Sequence, residues 1–374
     1  MSRESTAFLR RPLAPYYVLL GSVVILTAFG VIMVLSASGV QAYEQSGTAF
    51  AIVIKQLLWV AIGVPLAWLV SRLPITTWKV LAWPLLGLAL LTQILLFIPS
   101  IGRTVNGNLN WIAIGPITGQ PSEFAKFALV IWGASVISVK EKILHQPKQL
   151  IFPLIPGFGL VLFLVLAGKD LGTAVILLAI LVSMLLAAGA SWRLLSTVGL
   201  FSALGVAALV ITKGNRVRRF VAALNPFSPQ NYLGAGWQPA HGVMAMASGG
   251  LFGVGLGASR QKWSNLGPEA HTDFIFAVIG EELGLIGTLL VVGLFLGIMW
   301  AGMMVALNAR DAFARVSAVG ITTWFTFQSV VNIGSVIGLV PVAGVPLPFV
   351  SYGGSSLVST LIAMGFLIGL ARRV

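Results

Sequence analysis

The sequence predicts an all-α polytopic membrane protein, and three observations predict it. Hydrophobic residues fill 57% of the 374 positions, whereas Asp, Glu, Lys and Arg together fill 9%, against about 25% charged residues in a soluble globular chain. The mean hydropathy is +0.97. The apolar residues form long unbroken runs, not the alternating segments of about ten residues that build a transmembrane barrel. These features exclude a soluble enzyme.

A helical crossing takes about 20 apolar residues, and ten runs qualify: 16–40, 49–70, 79–98, 122–139, 151–168, 172–190, 194–212, 273–300, 314–340 and 354–371. Arg3, Arg10 and Arg11 precede the first run, which continues to Val40 without a small-residue cleavage site, so it reads as an uncleaved span. With both termini cytoplasmic, Arg72, Lys79, Lys140, Lys142, Lys148, Arg193, Arg310, Arg315, Arg372 and Arg373 all fall inside, while the short outer connections hold almost no cation. This is the positive-inside asymmetry. The chain reads as one domain, 1–374, with a large extracytoplasmic loop, 213–272, between the seventh and eighth spans.

That loop carries Lys213, Arg216, Arg218, Arg219, Arg260 and Lys262. Loops of about sixty residues escape the charge rule. Two accounts fit its cations: interfacial segments resting on anionic headgroups, or a site for an anionic substrate such as a lipid diphosphate. The formal net charge of +13 is scattered among apolar runs and does not point to nucleic acid. There is no cysteine, which excludes disulfides and thiolate chemistry.

The chain has ten acidic residues. Glu4, Glu44, Glu141 and Asp311 sit in termini or turns and read as solvated. Glu123, Asp170, Glu269, Asp273, Glu281 and Glu282 lie at or inside the predicted outer ends of spans. An ionised side chain in a bilayer costs about 2.5–3.5 kcal/mol on insertion scales and marks a functional site by default.

Taken in chain order, residues 106–116 read as a turn-rich outer loop with Trp111 as an aromatic anchor at headgroup depth. Gln120-Pro121-Ser122-Glu123 reads as a helix start with Ser122 as N-cap, and Lys126 stands at i, i+3 from Glu123. Lys169 and Asp170 form a predicted ion pair at the head of the sixth span. In the outer loop, the glycines of 249–257 allow close backbone approach, and Arg260 and Lys262 suit diphosphate oxygens. Thr272 or Asp273 is expected to cap the eighth span. Desolvation near Phe274 and Phe276 would raise the Asp273 carboxyl toward general-base range, and nearby cations would lower it. Glu281 and Glu282 require buried partners, for which Lys126 or Lys55 are the candidates. His241, His271 and Glu269 lack the spacing of a zinc site, while a divalent ion carried on substrate phosphates stays open. His145 reads as solvated. Residues 338–356 form an uncharged outer loop in which Ser351, Tyr352, Ser355 and Ser356 offer hydroxyls to a sugar or phosphate.

Three strings together resemble one family: Gln120-Pro121-Ser122-Glu123 with Lys126; Pro268-Glu269-Ala270-His271-Thr272-Asp273-Phe274 with Glu281-Glu282-Leu283-Gly284; and Pro346-Leu347-Pro348-Phe349-Val350-Ser351-Tyr352-Gly353-Gly354. The chain resembles the SEDS proteins of shape, elongation, division and sporulation over nearly its whole length, the division-type members most. The resemblance implies a peptidoglycan glycosyltransferase that polymerises lipid II outside the cytoplasmic membrane, at the septum, with Asp273 as its essential carboxylate and no resident cofactor. The substrate-binding set it suggests is Trp111, Glu123, Lys126, Asp170, Arg260, Lys262, Glu269, His271, Ser351, Tyr352, Ser355 and Ser356. Implied partners are a class B penicillin-binding protein and other division-complex membrane proteins. An elongation-type polymerase, a lipid II flippase and a recruiting scaffold are the rival readings. Two departures stand out: Asn110 replaces the family's usual Arg, which removes a cation, and Gly168-Lys169 replaces Gln-Pro before Asp170, which adds one.

Overall fold

The computed structural model describes residues 13–373 apart from 106, 116, 141–146, 212–213 and 264. Glu4, Glu141, His145 and Lys213 therefore lie outside the described residues. Among the described residues, long helices overlap the apolar runs: α1 Ala14–Ser46, α2 Ala51–Arg72, α3 Ile75–Leu95, α4 Pro121–Val139, α5 Pro147–Ala167, α6 Leu171–Ala187, α7 Trp192–Ile211, then, after a loop region, α10 Ile275–Asn308, α11 Ala312–Val336 and α12 Gly354–Ala371. Among the described residues, seven helices are long and apolar enough to cross a membrane. Their exteriors are apolar as well: α2 exposes Leu58, Leu69 and Trp68 on its outer side, a surface that hydrocarbon would cover without penalty. The interior is filled by Trp132, Trp324, Phe274, Phe313 and Phe325.

Two connections differ from the sequence reading. Residues 102–119 form an antiparallel three-stranded sheet, β1 Gly102–Val105, β2 Asn108–Ile114 and β3 Ile117–Gly119, where a turn-rich loop is expected. Trp111 stands on its central strand opposite Arg103. The region after α7 holds two helices, α8 Gly214–Leu224 and α9 Trp237–Gly249, a single turn at Pro229–Tyr232 and a 3-10 helix at Gly267–His271.

α9 and the turn-rich segment after it form a hairpin along the upper part of α10. α9 runs parallel to α10, so that Gly242 meets Phe274 and Gly249 meets Gly280. The return leg sets Gln261 beside His241 and Asn265 beside Trp237. At the hairpin tip α10 breaks: Gly284 has φ 65° and ψ −158°. The break frees the carbonyls of Glu281 and Glu282 and the amides of Leu285 and Ile286. These pair with the amides of Val254 (2.9 Å) and Gly255 (3.0 Å) and the carbonyls of Gly250 (2.9 Å) and Leu251 (3.3 Å). These four backbone groups are thus satisfied, as a bilayer demands.

The loop 341–353 is drawn into the bundle. α1 crosses it at Gly30, where any β-carbon would collide with the backbone of Phe349 and Val350. Phe349 itself has φ 65°, an uncommon conformation for a bulky residue.

Asp311 is not merely solvated. It caps α11 through the amides of Phe313 (2.7 Å) and Ala314 (3.4 Å) and pairs with Lys79 at 2.8 Å. Partial burial pushes its carboxyl up, but the Lys79 hydrogen bond and the two amides outweigh this and hold it below the ordinary carboxylate range.

Gly284→Ala would place a β-carbon against the backbone of Leu251 and Gly253 at a positive φ. It is expected to lower stability by more than about 1 kcal/mol, read as a reduced melting temperature of the purified protein. Gly21→Ala, which meets nothing within 4 Å, is expected to leave stability equal or raise it. Equal melting temperatures for the two variants would contradict this account of the break.

Candidate functional site

The first turns of α4, α10 and α12 converge at one end of the bundle around a cavity of about 780 Å³. Trp59 of α2, Asn110 and Trp111 of β2 and Gln120 form one wall. Arg219 of α8 with Trp237 and Gln238 of α9 forms a second, and Glu269, His271 and Asp273 a third. Val342, Pro346, Tyr352 and Ser356 close the ring. None of the three converging helices has a side-chain cap; α4 carries Glu123 in its first turn, whereas α10 and α12 have no acidic residue in theirs, so the positive ends of these two face the cavity uncompensated from within the helix.

Asp273 stands just before α10, and the capping role expected of Thr272 or Asp273 is absent. The helix begins at Ile275 without a side-chain cap. The backbone carbonyl of Asp273 is anchored by Asn332 Nδ2 at 3.0 Å, but among the described residues nothing donates a hydrogen bond to its carboxylate. Burial, then the charges of Glu269 and Asp170, push this carboxyl up to about 7. The expected cation effect does not operate, because no Lys or Arg lowers it. The turn carrying it is stitched to the loop after α11: Ser351 Oγ donates to Thr272 O (2.6 Å), and Tyr352 N donates to His271 O (2.9 Å).

His271 is buried, its Nδ1 has no partner among the described residues, and its ring lies 5.4 Å from that of Tyr352. Burial lowers it to about 4, so the imidazole is neutral at pH 7. Burial also raises Tyr352, which keeps its hydroxyl protonated. Glu269 Oε2 accepts from Gln238 Nε2 at 3.0 Å.

Behind the wall lies a fully buried ion pair. Lys126 Nζ donates to Glu123 Oε1 and to Gln328 Oε1, both at 2.7 Å, and sits 4.9 Å over the Trp324 ring. Ser356 donates to the other oxygen of Glu123 (2.9 Å), and Gln328 donates to Pro346 O (2.8 Å). One charge pair thereby joins α4, α11, α12 and the 341–353 loop. Ser122 does not cap α4. The helix starts at Pro121 after Gln120, and Ser122 Oγ has no partner among the described residues.

Asp170 caps α6 through Thr173 N (3.0 Å) and Thr173 Oγ1 (2.9 Å), and its Oδ2 also accepts from Gln120 Nε2 (2.9 Å). It therefore fixes a cavity-lining side chain without lining the cavity.

Glu281 and Glu282 find neither Lys126 nor Lys55. Glu282 pairs with Lys262 at 2.6 Å and accepts from Ser36. Glu281 accepts from Ser259 Oγ and from the amides of Arg260 (3.0 Å) and Gln261 (3.3 Å). The partner lies across the hairpin, whose register the sequence does not disclose.

Of the residues singled out in the sequence, the cavity gathers Trp111, Glu269, His271, Asp273, Tyr352 and Ser356. Glu123, Lys126, Asp170, Ser351 and Ser355 support its walls; Ser355 Oγ accepts from Gln120 N at 2.9 Å. Lys262 is committed to Glu282, and Arg260 is exposed away from the cavity. Sequence reasoning did not single out Gln120, Trp237, Gln238 or Arg219 as individual site residues. Gln120 gave a signal as the first residue of the Gln120-Pro121-Ser122-Glu123 string, and Arg219 as one of the cations of the outer loop.

Comparison with known proteins gives concordant matches. The model of the cell cycle protein family FtsW, RodA and SpoVE covers residues 17–374. Stage V sporulation protein E of Bacillus subtilis is 37% identical over 351 residues, 93% of this chain and 94% of that protein. The probable peptidoglycan glycosyltransferase FtsW of Trichlorobacter lovleyi is 39% identical over 366 residues, covering 97% and 95%. Among solved structures, a chain of a peptidoglycan synthase complex that coordinates polymerization and crosslinking superposes with a TM-score of 0.77 at 28% identity, covering 95% of this chain and 97% of that one. The rod shape determining protein RodA of Thermus thermophilus gives 0.67 at 28% identity, covering 95% and 96%.

Removing one partner of the buried pair strands the other's charge. Lys126→Met is expected to cost about 3–5 kcal/mol, and Lys126→Met combined with Glu123→Gln to recover most of it. Thermal unfolding of the single and double variants checks this; a double variant no more stable than Lys126→Met alone would refute the pairing argument.

Proposed function

The chain belongs to the FtsW, RodA and SpoVE family, and from that premise we propose that it is a peptidoglycan glycosyltransferase of the bacterial membrane, acting on lipid II, with Asp273 as its general base. The observation that carries the assignment of Asp273 is its carboxylate, free of hydrogen bonds to described residues, facing the cavity, and raised to about 7. A base is most effective when its pKa lies near the working pH.

In this reading ten helices cross the membrane with both termini in the cytoplasm, and the cavity opens at the outer face. The 4-hydroxyl of the acceptor GlcNAc gives its proton to Asp273, and its oxygen bonds to C1 of the donor MurNAc with inversion. The bond from C1 to the diphosphate breaks, and undecaprenyl diphosphate leaves. The positive ends of α10 and α12 favour the charge that develops on the leaving group. Neutral His271 and the Tyr352 hydroxyl can hydrogen-bond saccharide hydroxyls without adding charge. Trp59, Trp111 and Trp237 offer flat apolar faces to sugar rings. A divalent cation, if carried by the substrate, would be held by its diphosphate oxygens and would offset their charge. The family membership also supports a transpeptidase of the class B penicillin-binding type as partner, with the septum as the site of action.

Asp273→Asn preserves shape and removes the base. In a reconstituted assay with its partner present, polymerisation of lipid II is expected to fall at least about a hundredfold. Release of undecaprenyl diphosphate, which a flippase would not produce, is the readout. Turnover of Asp273→Asn at the wild-type rate would overturn the assignment.

The pH dependence has a defined sign. The base acts only when ionised, so the wild-type rate should rise with an apparent midpoint near 7. Stability runs the other way. A carboxyl whose pKa is raised by folding favours the fold while protonated and loses that contribution as pH climbs from about 4 through 7. Asp273→Asn should therefore melt higher than wild type above pH 7 and nearly equal to it at pH 4. A rate flat from pH 5.5 to 8.5 would contradict the base assignment.

A further inference from the structure

We propose that Arg219 is the cation that binds the diphosphate of the lipid-linked substrate, a positioning role that rests on the glycosyltransferase reading above. The argument begins with the charge of the cavity. Glu269 and Asp273 line it, and Asp170 lies close enough to act on Asp273. Left to these groups the cavity would repel a diphosphate.

The sequence offers other cations, and the structure commits them elsewhere. Lys126 is sealed in its pair with Glu123, Lys262 is held by Glu282, and Arg260 is turned away. Among the described residues that line the cavity, Arg219 is the only Lys or Arg. It makes no ion pair or hydrogen bond with a described residue, so its five donors are available to phosphate oxygens in the bidentate manner an ammonium cannot match.

The geometry of α8 explains how Arg219 reaches the cavity. At 3.6 residues per turn, Val217, Phe220, Val221 and Leu224 share one face, and all four are exposed. Ala222 and Ala223, three and four positions after Arg219, are buried. Arg219 thus stands on the protein-facing side of an amphipathic helix whose other side is apolar and unpartnered. A helix of this kind lies in the plane of the membrane interface, the depth at which the diphosphate of an anchored lipid is held.

The test uses farnesyl diphosphate, farnesyl monophosphate and farnesol as probes of the full-length protein in micelles. Wild type is expected to bind the diphosphate more tightly than the other two. Arg219→Gln should weaken the diphosphate by about tenfold or more, as for a charged hydrogen bond, and leave farnesol unchanged. Arg219→Lys should fall between them. In polymerisation, Arg219→Gln should raise KM for the lipid-linked sugar, and its rate should keep the wild-type pH midpoint because Asp273 is untouched. Equal diphosphate affinity in wild type and Arg219→Gln would overturn the proposal, as would a parallel loss of farnesol, which marks a merely structural role. Neither result touches the polymerase reading, which is judged separately by the turnover of Asp273→Asn.

Discussion

Hydrocarbon does not tolerate an unpartnered charge, and this constraint organises the molecule. The buried carboxylates placed within helices, Glu123, Glu281 and Glu282, are each bound to groups from distant parts of the chain. Glu123 ties α4 to α12 through Ser356 and, through Lys126 and Gln328, to α11. Glu282 ties α10 to Lys262 of the hairpin and to Ser36 of α1. Such pairs add little net stability compared with apolar packing, but they fix which groups must meet. Against that background the uncommitted carboxylate of Asp273 and guanidinium of Arg219 stand apart, and both face one cavity.

The backbone obeys the same rule. The break in α10 at Gly284 would leave carbonyls and amides open, and the hairpin tip at 250–255 supplies their partners. This insertion also sets the cavity wall, because the hairpin carries Trp237 and Gln238 at its upper end. Glu281 holds the return leg through the amides of Arg260 and Gln261, Gln261 bonds His241, and the His241 ring packs at a tilt against Trp237 with ring centroids 4.2 Å apart. A chain of contacts thus runs from the middle of a membrane helix to the surface a sugar would touch.

The helices were legible in the sequence because an apolar run of about twenty residues has few alternatives. The sheet at 102–119 was not, because Asn108-Leu109-Asn110-Trp111 mixes turn formers with strand formers and its pairing is non-local. Glu123 and Lys126 were readable as a pair from i, i+3 spacing alone. The pairing of Lys262 with Glu282 was not legible, because the hairpin alone brings the two together. Arg219 lay hidden among six cations of one loop; the amphipathic order of Val217, Phe220, Val221 and Leu224 was the signal that separates it from its neighbours. Asp273 was singled out by a motif, but the reason it is free, a helix that starts uncapped two residues later, belongs to the fold.

The central claim is that the Asp273 carboxyl, desolvated and flanked by Glu269 and Asp170, changes charge near neutral pH while the other buried carboxylates stay paired. Carbon-13 NMR of side-chain-labelled aspartate in the purified protein measures this directly, with Asp273→Asn identifying the resonance. The account predicts a carboxyl signal that titrates with a midpoint near 7 and vanishes in Asp273→Asn. A signal assigned to Asp273 that titrates near 4, as in an ordinary solvated aspartate, would contradict it.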